Sequence, residues 1–587
     1  MSHSKRIWLS GLICAVLLSA CSDDDEADNP PAAGDEYQIW ASDQSNSVAD
    51  ADGPGTKGSY LWIWNSEDME TQIAGGDDAI PVGCLPADDE SVAVPAGPCD
   101  LLDVFPQELV EIDANGNPTG QTLADLNGFG RLHGMLADPQ DRYVTASIFA
   151  PGGGFVGVID TRTREAISLF RVTGTNVGDG TDVRSVHMSD WTTDGNAILV
   201  ANLNGKVLER IDATRDAEGK ITDIVFNRSA SLGVGKGQVV TTSATTFSGN
   251  NAFGNPLLGS VGGDYANADF ADLTPGGVCK ENGCDGTDGA LGGRPNNVII
   301  CPISSTGGNS YVTLGGGGLI IANTQSTPMS IVGEYGNQSV NGAGCGGIQT
   351  GDTVWINAGV SASAAGATQS VFTMYTFNDS DFQDVSNPQN TPAPMLLYKD
   401  EGNTATGGNE TGVESNDSGQ LPDATTRRDS HGMAPTVDGR YVHTVDRIRN
   451  VVEVFDSTEF NRTTYDLTSE DGRGNGEGPC LARSITDDAG LPQNDPAPDL
   501  VENTPDGKYL LIAFRGPSPV SVNHSAQGSC PGAGVVELTD DGAYGRLVTV
   551  LNTRNSVDTS AVSAPGGHAY SGTERSDVHG VISVRMP

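Results

Sequence analysis

The chain has 587 residues, of which 76 are acidic and 32 are basic, so its formal net charge is -44. The negative charge is spread along the chain, which argues against nucleic acid or an anionic lipid surface as a partner, because both require a basic patch. The 77 glycines, with abundant Asn, Asp and Thr, interrupt short runs rich in Val, Ile and Tyr, and no long apolar stripe with a 3.6-residue period is present. This pattern predicts an all-β protein.

The N-terminus predicts export. Residues 1–20 combine a basic pair, Lys5 and Arg6, with an apolar run that is too short to span a membrane. The run ends in Leu-Ser-Ala-Cys at residues 18–21, which resembles the lipobox of bacterial lipoproteins. This resemblance implies lipidation of Cys21, and Ser22 favours the outer membrane, on its periplasmic or cell-surface side. The alternative is an ordinary secretory peptide that leaves Cys21 as a free thiol. The acidic segment 21–36 is expected to be a disordered tether.

Short alternating runs between turn residues predict strands along the rest of the chain, 37–587. The predicted strands and strand groups are 37–44, 59–65, 108–113, 132–149, 154–160, 166–172, 186–203, 206–212, 221–227, 298–314, 345–359, 370–378, 429–456, 499–514, 534–540 and 577–587. Three insertions, near 70–103, 235–297 and 401–427, interrupt them, and the second is expected to be an extended loop. The run DANGNPTG from Asp113 to Gly120 predicts a hairpin turn, since Pro118 stands where a calcium loop needs Gly.

The order of these strands predicts a closed ring. The chain begins at the second strand of a repeat and ends on a first strand, so the two ends can share one sheet. Counting that shared sheet gives seven four-stranded blades. The turns VDGRYVHTVD and PDGKYLLIAF, with strands ending in VID, RID and VFD, resemble the YVTN-type, lactonase-like seven-bladed β-propellers. This resemblance implies the fold only, because the family includes lactonase-like proteins, quinone-enzyme subunits and binding scaffolds.

Eight cysteines follow Cys21, and an even number in an exported protein favours disulfides. Proximity pairs Cys84 with Cys99 and Cys279 with Cys284. The partners of Cys480 and Cys530 stay open at this point, and Cys301 and Cys345 are either metal ligands or a disulfide.

Alignment of the repeats on the residue that opens each second strand reveals one equivalent position. A histidine lies ten residues before Tyr143, Ala197 and Tyr441, and the same offset from Tyr311 and Trp355 reaches a cysteine. First strands line the channel of a propeller, so these residues should converge there. The predicted ring consists of His579, His133, His187, Cys301, Cys345, His431 and Asp499.

This ring predicts a transition-metal site, with copper as the favoured ion. Met135 and Met433 follow a ring histidine by two residues and would share its face of the strand, adding soft thioether donors. Asp429 and Asp577 precede His431 and His579 by two residues and could accept a hydrogen bond from the outer ring nitrogens. The alternative is packing. Repeat homology alone would copy a His-Gly pair, Cys301 and Cys345 could pair with each other, and both methionines could belong to the core.

Three functions therefore compete. The first is an outer-membrane lipoprotein whose channel binds copper or another transition metal, with redox chemistry. The second is a non-catalytic scaffold, expected to be monomeric, that binds a protein or glycan. The third is a lactonase-like hydrolase. The sequence contains no G-x-S-x-G, phosphate-loop or C-x-x-C-H motif, and His443, His524 and His568 are expected at the surface. No catalytic residue can be assigned from these patterns.

Overall fold

The computed structural model describes the residues 36–44, 59–84, 97–126, 129–150, 153–176, 182–234, 238–265, 299–315, 317–336, 339–340, 344–359, 372–383, 392–400, 428–482, 494–517, 519, 528–554 and 574–587. Predictions for the signal peptide, for the tether before residue 36, for Cys21 and for 401–427 lie outside these residues. No helix in the described part of the chain is long and apolar enough to cross a membrane.

Almost every regular element is a β-strand, which confirms the all-β prediction. The strands of the N-terminal part are β1 (Tyr37–Asp43), β2 (Tyr60–Asn65), β3 (Cys99–Asp100), β4 (Val110–Ile112), β5 (Pro118–Thr122), β6 (Leu132–Ala137), β7 (Tyr143–Ala150), β8 (Gly153–Asp160), β9 (Ala166–Arg171), β10 (Gly174–Asn176), β11 (Asp182–Val183), β12 (Val186–Trp191), β13 (Ala197–Asn202), β14 (Val207–Arg215), β15 (Ile221–Asn227), β16 (Leu232–Gly233), β17 (Val239–Thr242), β18 (Thr245–Ser248) and β19 (Ser260–Gly262).

The C-terminal part continues this pattern. Its strands are β20 (Ile299–Ser304), β21 (Asn309–Leu314), β22 (Leu319–Asn323), β23 (Ser330–Tyr335), β24 (Gly347–Thr350), β25 (Thr353–Ala358), β26 (Phe372–Asn378), β27 (Met395–Asp400), β28 (Ser430–Pro435), β29 (Tyr441–Asp446), β30 (Val451–Asp456), β31 (Arg462–Asp466), β32 (Pro498–Asn503), β33 (Tyr509–Phe514), β34 (Gly532–Thr539), β35 (Tyr544–Asn552) and β36 (Val578–Arg585). The α-helices are α1 (Ser66–Ile73), α2 (Leu101–Val104) and α3 (Pro479–Ala482), and the 3-10 turns are Leu123–Asp125, Arg228–Ala230, Asp379–Phe382 and Asp540–Gly542.

Four successive antiparallel strands form the repeating sheet. Sheets 3, 4, 5 and 6 are β20–β23, β24–β27, β28–β31 and β32–β35. Sheet 1 contains β6–β9, extended by β18, β4 and β5, and sheet 2 contains β12–β15, extended by β19. Sheet 7 joins the two ends of the described chain in the order β3-β2-β1-β36, with Trp40 opposite Ile582. Pairing of the C-terminal strand with N-terminal strands is therefore present as predicted.

The first strands of these sheets form a closed circuit. Around the ring, β6, β12, β20, β24, β28, β32 and β36 each contact the next, and β36 contacts β6 again. This arrangement is a β-propeller with its first strands around the central channel, as the sequence predicts.

The apolar core lies between neighbouring sheets. One cluster combines Val445 and Tyr465 of sheet 5 with Leu510 and Val536 of sheet 6. Because each sheet packs against a neighbour on both faces, strands such as β33, YLLIAF, are buried along their whole length. This explains why several strands are continuous apolar runs rather than alternating ones.

The segment expected as an extended loop at 235–297 is more ordered than predicted in its described part. There β18 pairs with β9 and β4, and β19 pairs with β15. Phe247 and Val261 are buried and fix these strands against the core. Strands of three or four residues are too short to show a period, so the sequence did not reveal them. The predicted hairpin turn is present, with Asp113 Oδ1 accepting hydrogen bonds from the Asn115 and Asn117 amides.

Disulfides join Cys84 to Cys99, as predicted, and Cys301 to Cys345 and Cys480 to Cys530. The predicted pair Cys279–Cys284 lies outside the described residues.

Candidate functional site

A β-bulge interrupts six of the seven first strands at the ring position. The register against the neighbouring strand shifts between Leu132 and Gly134, Val186 and Ser189, Ile299 and Pro302, Ser430 and Met433, and Pro498 and Val501, and the pairing of β36 with β1 skips His579. A bulge inserts an extra residue and redirects its side chain. The repeated irregularity therefore presents the ring side chains to the channel.

The structure brings the predicted ring residues together. The ring centroids of His133 and His579 are 3.9 Å apart and nearly stacked, and those of His133 and His187 are 4.3 Å apart. His431 Nε2 lies 3.0 Å from Asp499 Oδ1, and His579 Nε2 lies 3.9 Å from the same oxygen. Ligand atoms of His431, Asp499 and His579 all lie within 4.8 Å of one another. We call these three residues with His133 the histidine–aspartate cluster.

Cys301 and Cys345 form a disulfide on the opposite side of the ring, so neither is a thiolate ligand in this structure. Their sulfur atoms lie 3.9 and 3.8 Å from His187 Nδ1. His187 with the disulfide forms a second group, which adjoins the histidine–aspartate cluster through the contact of His187 with His133.

Met135 and Met433 do not face the channel, contrary to the prediction. Met135 is buried in the core of sheet 1, and Met433 packs with Trp355 and Phe455 between sheets 4 and 5. The prediction assumed regular alternation, but the bulge after each ring histidine reverses it.

The predicted support of His431 and His579 by Asp429 and Asp577 is also wrong. Asp429 Oδ2 lies 2.7 Å from Arg447 Nη2, and both oxygens of Asp577 accept from Arg515, at 2.6 and 2.7 Å. Arg515 in turn donates to Asp499 Oδ2 at 2.6 Å. Neither nitrogen of His431 and not Nδ1 of His579 has a hydrogen-bond partner among the described residues.

These contacts form a buried chain of charges beneath the ring, running from Asp577 through Arg515, Asp499 and Arg447 to Asp429. Arg447 Nη1 stands 3.8 Å from Asp499 Oδ1, and no side chain in this charge chain is more than 5% exposed. Burial alone would raise the pKa of Asp499, but its basic neighbours, which include the permanently charged Arg447 and Arg515, outweigh burial and hold that pKa well below its usual range. Asp499 is therefore a carboxylate at neutral pH.

Sequence reasoning missed the two arginines of this charge chain. Arg447 and Arg515 each stand six residues after the tyrosine that opens the second strand, Tyr441 and Tyr509. The alignment that located the ring histidines could have found them, since both follow the last residue of their strand directly.

Gln44 was also missed, and it fixes the tautomer of His133. Its Oε1 accepts a hydrogen bond from Arg131 Nε at 3.2 Å and lies 3.4 Å from His133 Nδ1. Arginine only donates, so this oxygen is the acceptor and His133 Nδ1 carries the proton. The lone pair of His133 is then on Nε2, which is buried and has no hydrogen-bond partner in the part of the chain that the structure describes.

Burial keeps the imidazoles of His133, His187 and His579 neutral at neutral pH. It lowers the pKa of His187 to about 3, and it lowers the pKa values of His133 and His579 well below their usual range, helped by neighbouring positive charge. A neutral imidazole has one nitrogen lone pair available to a metal ion.

His443, expected at the surface, is a core residue. It is fully buried, with Nε2 2.8 Å from the Gly542 carbonyl oxygen and Nδ1 3.2 Å from the Tyr465 hydroxyl. His524 and His568 lie outside the described residues.

Comparison with known proteins adds little beyond the fold. No family model matches the sequence, and no curated protein matches it at a significant level. Similar solved structures include a putative 6-phosphogluconolactonase from Bacteroides uniformis, with 12% identity, 87% of this chain and 94% of that chain covered, and a TM-score of 0.42. The periplasmic gluconolactonase of Pseudomonas aeruginosa has 9% identity, coverage of 94% and 100%, and a TM-score of 0.41. A putative 6-phosphogluconolactonase from Bacteroides fragilis has 11% identity, coverage of 95% and 100%, and a TM-score of 0.42. The likeness to these lactonase-type propellers does not extend to an activity.

Proposed function

We propose that the channel of this propeller binds a divalent transition-metal ion at the histidine–aspartate cluster. The observation that supports this most directly is a group of buried polar atoms: His133 Nε2, His431 Nδ1 and His579 Nδ1 have no hydrogen-bond partner among the described residues. His431 Nε2 and Asp499 Oδ1 lie 3.0 Å apart beside them without forming a hydrogen bond. A buried polar atom left unpaired costs about 1–3 kcal/mol. Several in one place would be a large loss for a fold, and a metal ion would satisfy those that face it.

The donor set narrows the choice of ion. With both methionines in the core and both cysteines in a disulfide, the cluster offers imidazole nitrogens and one carboxylate oxygen but no sulfur. Such a set suits Zn²⁺, Fe²⁺ or Cu²⁺ rather than Cu⁺, so the sequence-based preference for copper keeps only its oxidised form. Asp499 Oδ2 is held by Arg515, which leaves Oδ1 for the metal and fixes the direction in which it points.

Elemental analysis of the untagged, purified protein tests this proposal. We expect near-stoichiometric metal after growth with Zn, Fe and Cu, and loss of that metal in the double variant His431→Ala, His579→Ala. His443→Gln is the matched control, since it removes a buried histidine away from the channel and should retain the metal. A chelator should lower the thermal midpoint of the wild type. Metal-free protein whose stability is unchanged by chelation would refute the proposal.

A second candidate function is metal-independent hydrolysis of the lactone type. It is favoured by the 3.0 Å approach of Asp499 Oδ1 to His431 Nε2, since a carboxylate can orient an imidazole as a general base. Activity on a lactone that survives chelation and disappears in His431→Ala would support this candidate over the metal centre.

Anchoring by lipid on Cys21 belongs to the same proposal, with the outer membrane as the destination. Its test is incorporation of labelled fatty acid into the wild type but not into Cys21→Ser.

Binding of a protein or glycan by a metal-free propeller is the function that remains if the metal and hydrolysis assays both fail.

A further inference from the structure

We infer that reduction of the Cys301–Cys345 disulfide creates a second metal site, in which the two thiolates and His187 bind a soft or borderline ion such as Zn²⁺ or Cu⁺. His187 and Cys301 lie in β12 and β20, and Cys345 lies two residues before β24. They share no ligand with the histidine–aspartate cluster, so this inference stands or falls independently of the proposed function.

The geometry requires little movement. The two sulfur atoms are almost equidistant from His187 Nδ1, at 3.9 and 3.8 Å. In a tetrahedral site with Zn–S of about 2.3 Å and Zn–N of about 2.0 Å, nitrogen and sulfur are about 3.5 Å apart and the two sulfurs about 3.8 Å apart. The nitrogen–sulfur distances are therefore already close to those of a metal site, and only the bond between the sulfurs has to open.

The burial of these three residues is compatible with both the disulfide and the reduced, metal-bound form. Cys301 is 4% exposed, while Cys345 and His187 are half-buried, so the group is partly open to solvent on the Cys345 side. The Cys480–Cys530 disulfide does not share this arrangement, since the Cys480 sulfur lies 3.8 Å from Ser529 Oγ. Within the described residues, His187, Cys301 and Cys345 form the one group of three potential metal ligands that contains cysteine.

The chemistry balances with a dithiol as the reductant. Its two thiols transfer two electrons and two protons to the Cys301–Cys345 disulfide, giving two cysteine thiols and one oxidised dithiol. Binding of M²⁺ by both cysteines then releases their two protons. Oxidation by a disulfide oxidant returns the cysteines to the bridge and releases the ion.

Cobalt binding measures this conversion, because only a sulfur-ligated Co²⁺ ion has a thiolate-to-cobalt charge-transfer band. The full mature protein is treated with dithiothreitol, which is removed anaerobically before Co²⁺ is added. We expect one more equivalent of Co²⁺ than the oxidised protein binds, together with the charge-transfer band. Co²⁺ at the histidine–aspartate cluster has no such band, so failure of the proposed function leaves this readout intact.

Three variants locate the site. Cys301→Ser with Cys345→Ser should abolish the band, and His187→Ala should weaken Co²⁺ binding at least about 10-fold. Cys480→Ser with Cys530→Ser is the matched control and should keep the band. Loss of a disulfide can destabilise a fold. The reduction of Cys301 and Cys345 in the wild type is therefore measured first, by alkylation and mass spectrometry. The inference is overturned if Cys301 and Cys345 resist native reduction, if they become free thiols without a charge-transfer band, or if the band persists without them.

Discussion

Replacement of Arg515 by Met tests whether the buried charge chain holds the ring together. The Arg515 side chain is 2% exposed, and its partners Asp499 and Asp577 are fully buried at 2.6 Å. Met keeps the bulk of the side chain but leaves two carboxylates without their main partner. Breaking a buried ion pair in this way costs about 3–5 kcal/mol, because the remaining charge is left in a poorly solvated site.

The control variant removes an arginine from an ion pair of the same kind that is exposed instead of buried. Arg546 lies 2.7 Å from Glu537, but their side chains are 48% and 38% exposed. Arg546→Met should therefore cost about 1 kcal/mol or less. Free energies of unfolding are measured by urea denaturation with chelator present, using two spectroscopic probes to check for a single transition. A loss for Arg515→Met within about 1 kcal/mol of the control would refute the reasoning. Adding Asp577→Leu to Arg515→Met should recover part of the loss, since it removes one stranded charge.

Three further predictions follow from individual contacts. Burial raises the pKa of Glu209 from 4.5 to about 7, so the native state holds a proton that the unfolded chain releases, and the free energy of unfolding falls as the pH rises from about 4.5 to about 7. The pKa of Glu502 is also raised to about 7, so Glu209→Gln should reduce this slope and not abolish it, as urea denaturation at each pH will show. A Cβ at Gly432 would overlap the main-chain oxygen of Asp499, so Gly432→Ala should lower the thermal midpoint and the metal content together, although it removes no ligand. Removing the Cys480–Cys530 disulfide, which closes a 50-residue separation, should lower the free energy of unfolding by about 4 kcal/mol in the same assay, and a loss below about 1 kcal/mol would contradict the chain-entropy argument.

The architecture could be predicted because it depends on local patterns that repeat. Short runs between Gly- and Asp-containing turns define the strands, and the incomplete first and last repeats predict that β1 and β36 pair. The elements that the sequence did not reveal are short ones. Strand β18 has four residues and is too short to show a period. Helix α1 has eight residues, about two turns, which is too short to show an apolar stripe.

The candidate site was predicted in position but not in chemistry. The repeat alignment located every ring residue, because equivalent positions in a propeller reach equivalent places. It could not reveal that a bulge follows His133 and His431, and regular alternation therefore assigned Met135 and Met433 to the wrong face. It also did not reveal the pairing of Asp577 with Arg515, since that contact crosses from one sheet to the next.

The packing alternative explains the His and the Gly of each His-Gly pair together, but in the structure the two residues have different explanations. The glycines are explained by packing: a Cβ at Gly134 would overlap the Met188 sulfur, and one at Gly432 would overlap the main chain of β32. The histidines are not. Packing would be served by any apolar side chain of similar size. Such a side chain would not bring imidazole nitrogens that lack a hydrogen-bond partner among the described residues next to the ion pair of Arg515 with Asp499 Oδ2. Repeat homology can copy a residue into several sheets, but it does not remove the energetic cost of leaving each copy unsatisfied. A ligand that accepts those lone pairs would remove it, and the proposed metal ion, held by imidazoles and one carboxylate, is such a ligand.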